Sequence, residues 1–136
     1  LPTKQWEFVC EVRHVDCSDI PPPIIVPIIP DPNLYGLFEP SLSPDVIFVE
    51  PGLGDTMTEV VTMHEASHYL DWKTGALYRN EYDWYPVEVL CKSEEMGYNV
   101  ANIWVAYKGY DQNYARYDWI EYYPHCQEWL WQYGIL

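Results

Sequence analysis

Ten of the 12 prolines lie at or before position 51, and that distribution decides where helices can form. Each proline removes a backbone donor and fixes φ, so the run Ile20-Pro-Pro-Pro-Ile-Ile-Val-Pro-Ile-Ile-Pro-Asp-Pro32 cannot be helical. It should be extended or polyproline-like, along a sheet edge. It could serve as a polyproline ligand for another domain. An apolar strap is the simpler use, because its isoleucines and valines need covering. Beyond Pro51 only Pro86 and Pro124 interrupt the chain, and 18 of the 20 Tyr and Trp residues fall between Tyr69 and Tyr133. The first half is therefore proline- and β-rich, the second helical and aromatic. With strands and helices segregated, the class expected is α+β, in one domain spanning 1–136.

Local patterns place the elements. Trp6, Phe8, Cys10 and Val12 nearly alternate with polar residues, which reads as a half-buried strand over 6–13. Asp45-Val-Ile-Phe-Val-Glu50, punctuated by Pro44 and Pro51, reads as a second strand. Thr56-x-x-Glu59 has the form of a capping box ahead of an amphipathic run carrying Met57, Val60, Val61, His64, Ser67 and His68. Gly75 should end that helix. Another should start near Pro86 and reach at least Met96, with further helices at about 111–122 and 125–133. Tyr110, Tyr114 and Tyr117, and likewise Cys126, Trp129 and Tyr133, have helical spacing. They suit core packing or, alternatively, a platform for sugar rings or peptide side chains.

The chain has 136 residues, 49% of them apolar, enough to bury a core. Seven basic against 21 acidic residues give a net charge of −14. Phosphate backbones and anionic lipid would repel it, which excludes nucleic acid and polybasic membrane binding. No apolar run approaches the roughly 18–20 residues of a membrane span. The chain opens at Leu1 without a signal-peptide pattern, so an upstream segment is expected to have been removed or to lie outside this sequence. The four cysteines form no C-x-x-C pair. The most economical bridges are Cys10–Cys17 and Cys91–Cys126, which would put the chain in an oxidising compartment, extracellular or on a virion or cell surface.

The residues that carry chemistry are His64-Glu65-Ala66-Ser67-His68. On a helix, residues four apart lie one above the other, so both imidazoles can reach one metal ion. Glu65 is turned about 100° away, beside such an ion, where it could deprotonate a bound water. A pair of helix-surface histidines without metal is the bland alternative. A catalytic zinc site needs a third protein ligand. The longer pattern H-E-x-x-H-x-x-G-x-x-H fails, since Asp71 and Thr74 stand at its last two positions. Candidates are Glu88, Glu81, Asp83, Glu94, Glu95, His14 and His125. Glu88 is preferred, because a short turn could return the start of the next helix to the metal. Glu88 could equally stabilise a helix N-terminus. Asp71 could orient an imidazole from behind or simply face solvent. His125 is the main rival ligand, a transition-state donor or a surface residue.

Val60-Val-Thr-Met-His64-Glu65-Ala-Ser-His68-Tyr-Leu-Asp71 resembles the active-site helix of zincin metallopeptidases, in the gluzincin-like variety where a Glu on a following helix is the third ligand. Gly36-Leu-Phe-Glu-Pro40 through Asp45–Glu50 is similar to the turn and strand before that helix in minimal members. The likeness covers about residues 34–98. At Glu88 the usual small residue three positions on is replaced by Cys91. The resemblance implies a zincin-like fold with a small N-terminal β-sheet, and a Zn2+ cofactor held by His64, His68 and Glu88. It implies Glu65 as the general base and hydrolysis of a peptide or peptidoglycan-type amide. Val46–Val49 would line the cleft as an edge strand open to an extended substrate. The alternative from another class is a structural or binding protein, such as a virion or cell-surface component, that uses the scaffold without turnover. A carbohydrate-binding module built on the aromatic half is a third.

Overall fold

In the computed structural model, residues 1–132 are described, with side chains as far as Trp129. The order is helix α1 (Thr3–Val12), strands β1 (Ile24–Val26), β2 (Gly36–Leu37) and β3 (Val46–Val49), then helices α2 (Asp55–Thr74) and α3 (Val87–Lys108). Two 3-10 turns, Gln112–Tyr114 and Trp119–Tyr122, lead into α4 (Pro124–Gln132). The molecule is α+β, with a small three-stranded sheet.

The first element is a helix, not the strand expected over 6–13. Trp6 and Cys10, four apart, fit both periods, but the buried set is Trp6, Val9 and Cys10, which is helical. Trp6 meets Tyr69 edge to face at 5.6 Å, so packing against α2 selects the helix. After α1 the chain turns at His14 (φ 56°) and is tied back by the Cys10–Cys17 disulfide.

The proline run is extended as expected. Its Ile24–Val26 segment pairs parallel with β3, and the Tyr69 hydroxyl donates to the Pro21 carbonyl at 2.6 Å. Its apolar side chains are covered only in part: Ile25 packs against the core, while Ile24 and Ile28 face solvent. The edge-strand expectation for Val46–Val49 is overturned. The sheet order is β1-β3-β2, so β3 is central, with β1 parallel on one side and β2 antiparallel on the other. Pro44 and Pro51 lie outside the strand and cannot block its pairing. Ile47 and Val49 point into the core.

The longest uninterrupted stretches give the longest helices. The capping box does not form: Gly54 precedes α2, and Thr56 lies inside the first turn. Glu59 instead accepts hydrogen bonds from Trp104 Nε1 (3.3 Å) and Tyr110 Oη (2.7 Å), pinning the far end of α3 to the start of α2. Gly75, at φ 84°, ends α2 in the left-handed conformation that favours glycine. α3 starts behind Pro86, as read from the sequence. The helix expected over 111–122 is replaced by the two 3-10 turns, separated by an extended Ala115. Tyr110 and Tyr114 pack against the core and Tyr117 is exposed, so that stripe is split. In the second stripe Cys126 is buried; Tyr133 lies outside the described residues.

The Cys91–Cys126 disulfide ties α4 to the first turns of α3. Both bridges match the economical pairing. Replacing Cys91 and Cys126 together by Ser should lower unfolding stability by about 2–5 kcal/mol. Urea melts with a lower midpoint, and a slope no smaller than the parent's because the unfolded chain is less constrained, would register this. Among the described residues no helix is long and apolar enough to cross a membrane.

Candidate metal centre

The site is built by the antiparallel packing of α2 on α3. Asp71 meets Ser93, His68 meets Ser93 and Glu94, His64 meets Gly97 and Tyr98, and Glu59 meets Trp104. Each step forward on α3 is thus a step back on α2. Met63, Ala66, Tyr69 and Leu70 occupy the buried face of α2, which fixes its rotation and turns both histidines toward α3.

Three donor groups converge there. His68 Nε2 lies 3.0 Å from His64 Nε2 and 3.0 Å from Glu94 Oε1, and His64 Nε2 lies 3.3 Å from Glu94 Oε2. A tetrahedral zinc ion with bonds of about 2.0–2.1 Å holds its ligand atoms about 3.3 Å apart, so the spacing fits that ion. Glu94 Oε2 is buried yet has no hydrogen-bond partner, as does His64 Nδ1. A buried carboxylate oxygen without a hydrogen bond is costly unless a cation satisfies it. In the protein alone His68 takes that part. Burial opposes charge on His68, but the adjacent Glu94 outweighs it, helped by Glu65 and Asp71, and lifts the imidazole to about 9. Burial would likewise raise Glu94, yet His68 and His64 hold it well below the usual carboxylate range.

Glu65 stands beside this cluster and is not one of its three converging groups. It is buried, and burial raises its carboxyl above the ordinary value despite the opposing pull of His64 and His68. The outer strand β2 packs directly on it. A Cβ at Gly36 would come within 2.4 Å of Val61 Cγ1 and 2.9 Å of Glu65 Cγ, so only glycine lets the backbone approach this closely. Opposite, Tyr98 lies against the His64 ring at 4.3 Å, with Trp119 stacked on Tyr98 and Tyr123 at its edge. Burial, reinforced by Glu94, keeps both Tyr98 and Tyr123 protonated.

Asp71 does not touch His68. The Ser93 hydroxyl stands between them, donating to Asp71 Oδ2 at 2.7 Å and lying 2.7 Å from His68 Nδ1. Arg13 closes the chain from α1's end, with Nη2 on Asp71 Oδ1 at 2.5 Å and Nη1 on Ser67 Oγ at 2.8 Å. No family model, no curated protein and no solved structure matches the chain.

The structure brings His64, Glu65, His68 and Asp71 together and leaves out Glu88 and His125. Glu88 is exposed, on the rim of a cavity of about 410 Å³ that Arg13, Lys92 and Trp129 also line. It lies six residues before Glu94, about 9 Å back along the axis and on another face. In the α2–α3 register it falls level with the end of α2, beyond His68. His125 is exposed and neighbours the Cys91–Cys126 bridge, whose sulfurs are bonded to each other and so cannot act as thiolate ligands. The sequence did hold a signal for Glu94. Gly97 follows it by three positions, and a Cβ there would meet the His64 ring at 3.0 Å. With no side chain at Gly97 the two helices can come close enough for Glu94 to reach both imidazoles.

Proposed function

We propose that the protein is a zinc-dependent hydrolase of peptide or related amide bonds, with His64, His68 and Glu94 as the metal ligands. The observation that carries this is the convergence of two Nε2 atoms 3.0 Å apart with a carboxylate whose two oxygens lie 3.0 Å and 3.3 Å from them, and a separate buried carboxylate beside them. Two histidines and one glutamate are a known catalytic zinc donor set that leaves a position open. The same donors suit non-haem iron, and it is Glu65 that favours hydrolysis.

A bound zinc ion would supply a polarised carbonyl and an acidified water. The chain's own groups do the rest. The Glu65 carboxylate takes the proton of the attacking water and passes it to the departing nitrogen. Its raised proton affinity suits both halves of that task. Gly36 lets β2 pack against Glu65 and hold it. As the outer strand, β2 has an unpaired edge on which extended substrate backbone could lie. Tyr98, Trp119 and Tyr123 wall the His64 side. Two disulfides are compatible with work outside the reducing cytosol.

The test is cleavage of a fluorogenic peptide library by the purified protein. Turnover should vanish on chelation and return with zinc; a chelator-insensitive signal, or none at any zinc concentration, would refute the reading. Gly97→Ala should weaken zinc about tenfold by pushing the His64 ring aside, read by chelator competition. The binding-protein alternative draws on Tyr82 and Trp84, 73% and 71% exposed on the loop between α2 and α3. Glycan-array binding that survives zinc removal would favour it.

A further inference from the structure

We infer that Ser93, anchored by Asp71 and Arg13, is a positioning residue that fixes which nitrogen of His68 faces the metal. The inference rests on the metal reading above, but its first readout needs no metal.

A serine hydroxyl has one hydrogen. In this site it is spent on Asp71 Oδ2, an ionised acceptor in direct contact with the Arg13 guanidinium. Toward His68 the same oxygen can only accept. Nδ1 must then carry a hydrogen, and in the neutral ring Nε2 is bare and aimed at His64 and Glu94. The direction of every bond in the chain follows from its far end, because a guanidinium donates and never accepts. Asp71 and Ser93 are buried, and each is held by the hydrogen bonds just named. His64 has no such support: its Nδ1 is buried without a partner. The support of the metal centre is therefore lopsided, with His68 as the fixed ligand.

Arg13 lies inside the loop that the Cys10–Cys17 disulfide closes, next to the left-handed turn at His14. The N-terminal helix, which contributes nothing to the cluster itself, thereby becomes part of the metal centre. Its role is to deliver one cation to Asp71 across 58 residues of sequence.

Asp71→Asn tests this, because it keeps the shape and reverses the bonds. With the Arg13 contact held on the amide oxygen, the amide nitrogen faces Ser93 and donates to it. The serine hydrogen is then released toward His68 Nδ1, and the ring hydrogen moves to Nε2, where the metal must bind. Long-range 1H–15N NMR of the metal-free protein, at a pH where the His68 ring is neutral, should show hydrogen on His68 Nδ1 in the parent and a bare Nδ1 in Asp71→Asn. Zinc affinity should fall about 100-fold in Asp71→Asn and about tenfold in Ser93→Ala. Ser93→Thr, which keeps the hydroxyl, should restore the parent Nδ1 signal. A folded Asp71→Asn protein with hydrogen still on Nδ1 and unchanged zinc affinity would overturn the proposal. If no variant nor the parent binds zinc, while the Nδ1 signals behave as described, the metal reading fails and the positioning role stands.

Discussion

Glu65→Gln should keep its zinc and lose its turnover, with the cleavage rate falling by about 10²–10⁴. The two effects separate because Glu65 is not among the three converging groups. Glutamine has the same length, fills the same buried space under β2, and leaves His64, His68 and Glu94 in place. What it lacks is basicity, since an amide cannot take the water's proton. Elemental zinc analysis and the rate on a fluorogenic peptide, measured on one preparation, give both readouts. Undiminished turnover would remove Glu65 from the mechanism and the hydrolase reading with it.

A larger effect on the protein itself should follow loss of the metal. An ion that binds only the folded state stabilises it by RT ln(1 + [L]/Kd), about 4 kcal/mol at a thousandfold excess over Kd. Chelation should therefore lower the thermal midpoint of the parent by many degrees. In His68→Ala or Glu94→Ala it should change nothing, because two ligands do not hold zinc tightly. Glu94→Ala should also leave the His68 imidazole without the carboxylate that favours its charge. Calorimetry with and without chelator, on parent and variants, reads the difference. Equal chelator shifts in the parent and in Glu94→Ala would move the third ligand elsewhere.

What could be read in advance was whatever depends on neighbours in sequence. The helix carrying His64 and His68 follows from period, from the proline-free stretch and from the stop at Gly75. The disulfides followed from spacing alone. The place of Glu94 beside the histidines did not, because it depends on the register of α2 against α3, which the segment 75–86 sets. That segment starts α3 level with the end of α2, so the histidines meet the second turn, where Glu94 sits, and not the first, where Glu88 sits. The sheet order failed for a similar reason: β1 and β3 pair across 22 residues of sequence, Ile24 against Val46, with β2 between them in sequence yet outside them in space. Residues 6–13 alternated well enough to look like a strand until Tyr69 gave Trp6 a helical partner. Ser93 and Arg13 carry no local mark of their role; they reach Asp71 from two other helical segments.

The central claim is that Glu94, with His64 and His68, holds one zinc ion. Metal content of three purified proteins tests it most directly: the parent, Glu94→Ala and Glu88→Ala. The expected result is about one zinc per chain in the parent and in Glu88→Ala, and almost none in Glu94→Ala. Full zinc in Glu94→Ala with loss in Glu88→Ala, or iron in place of zinc in the parent, would contradict it.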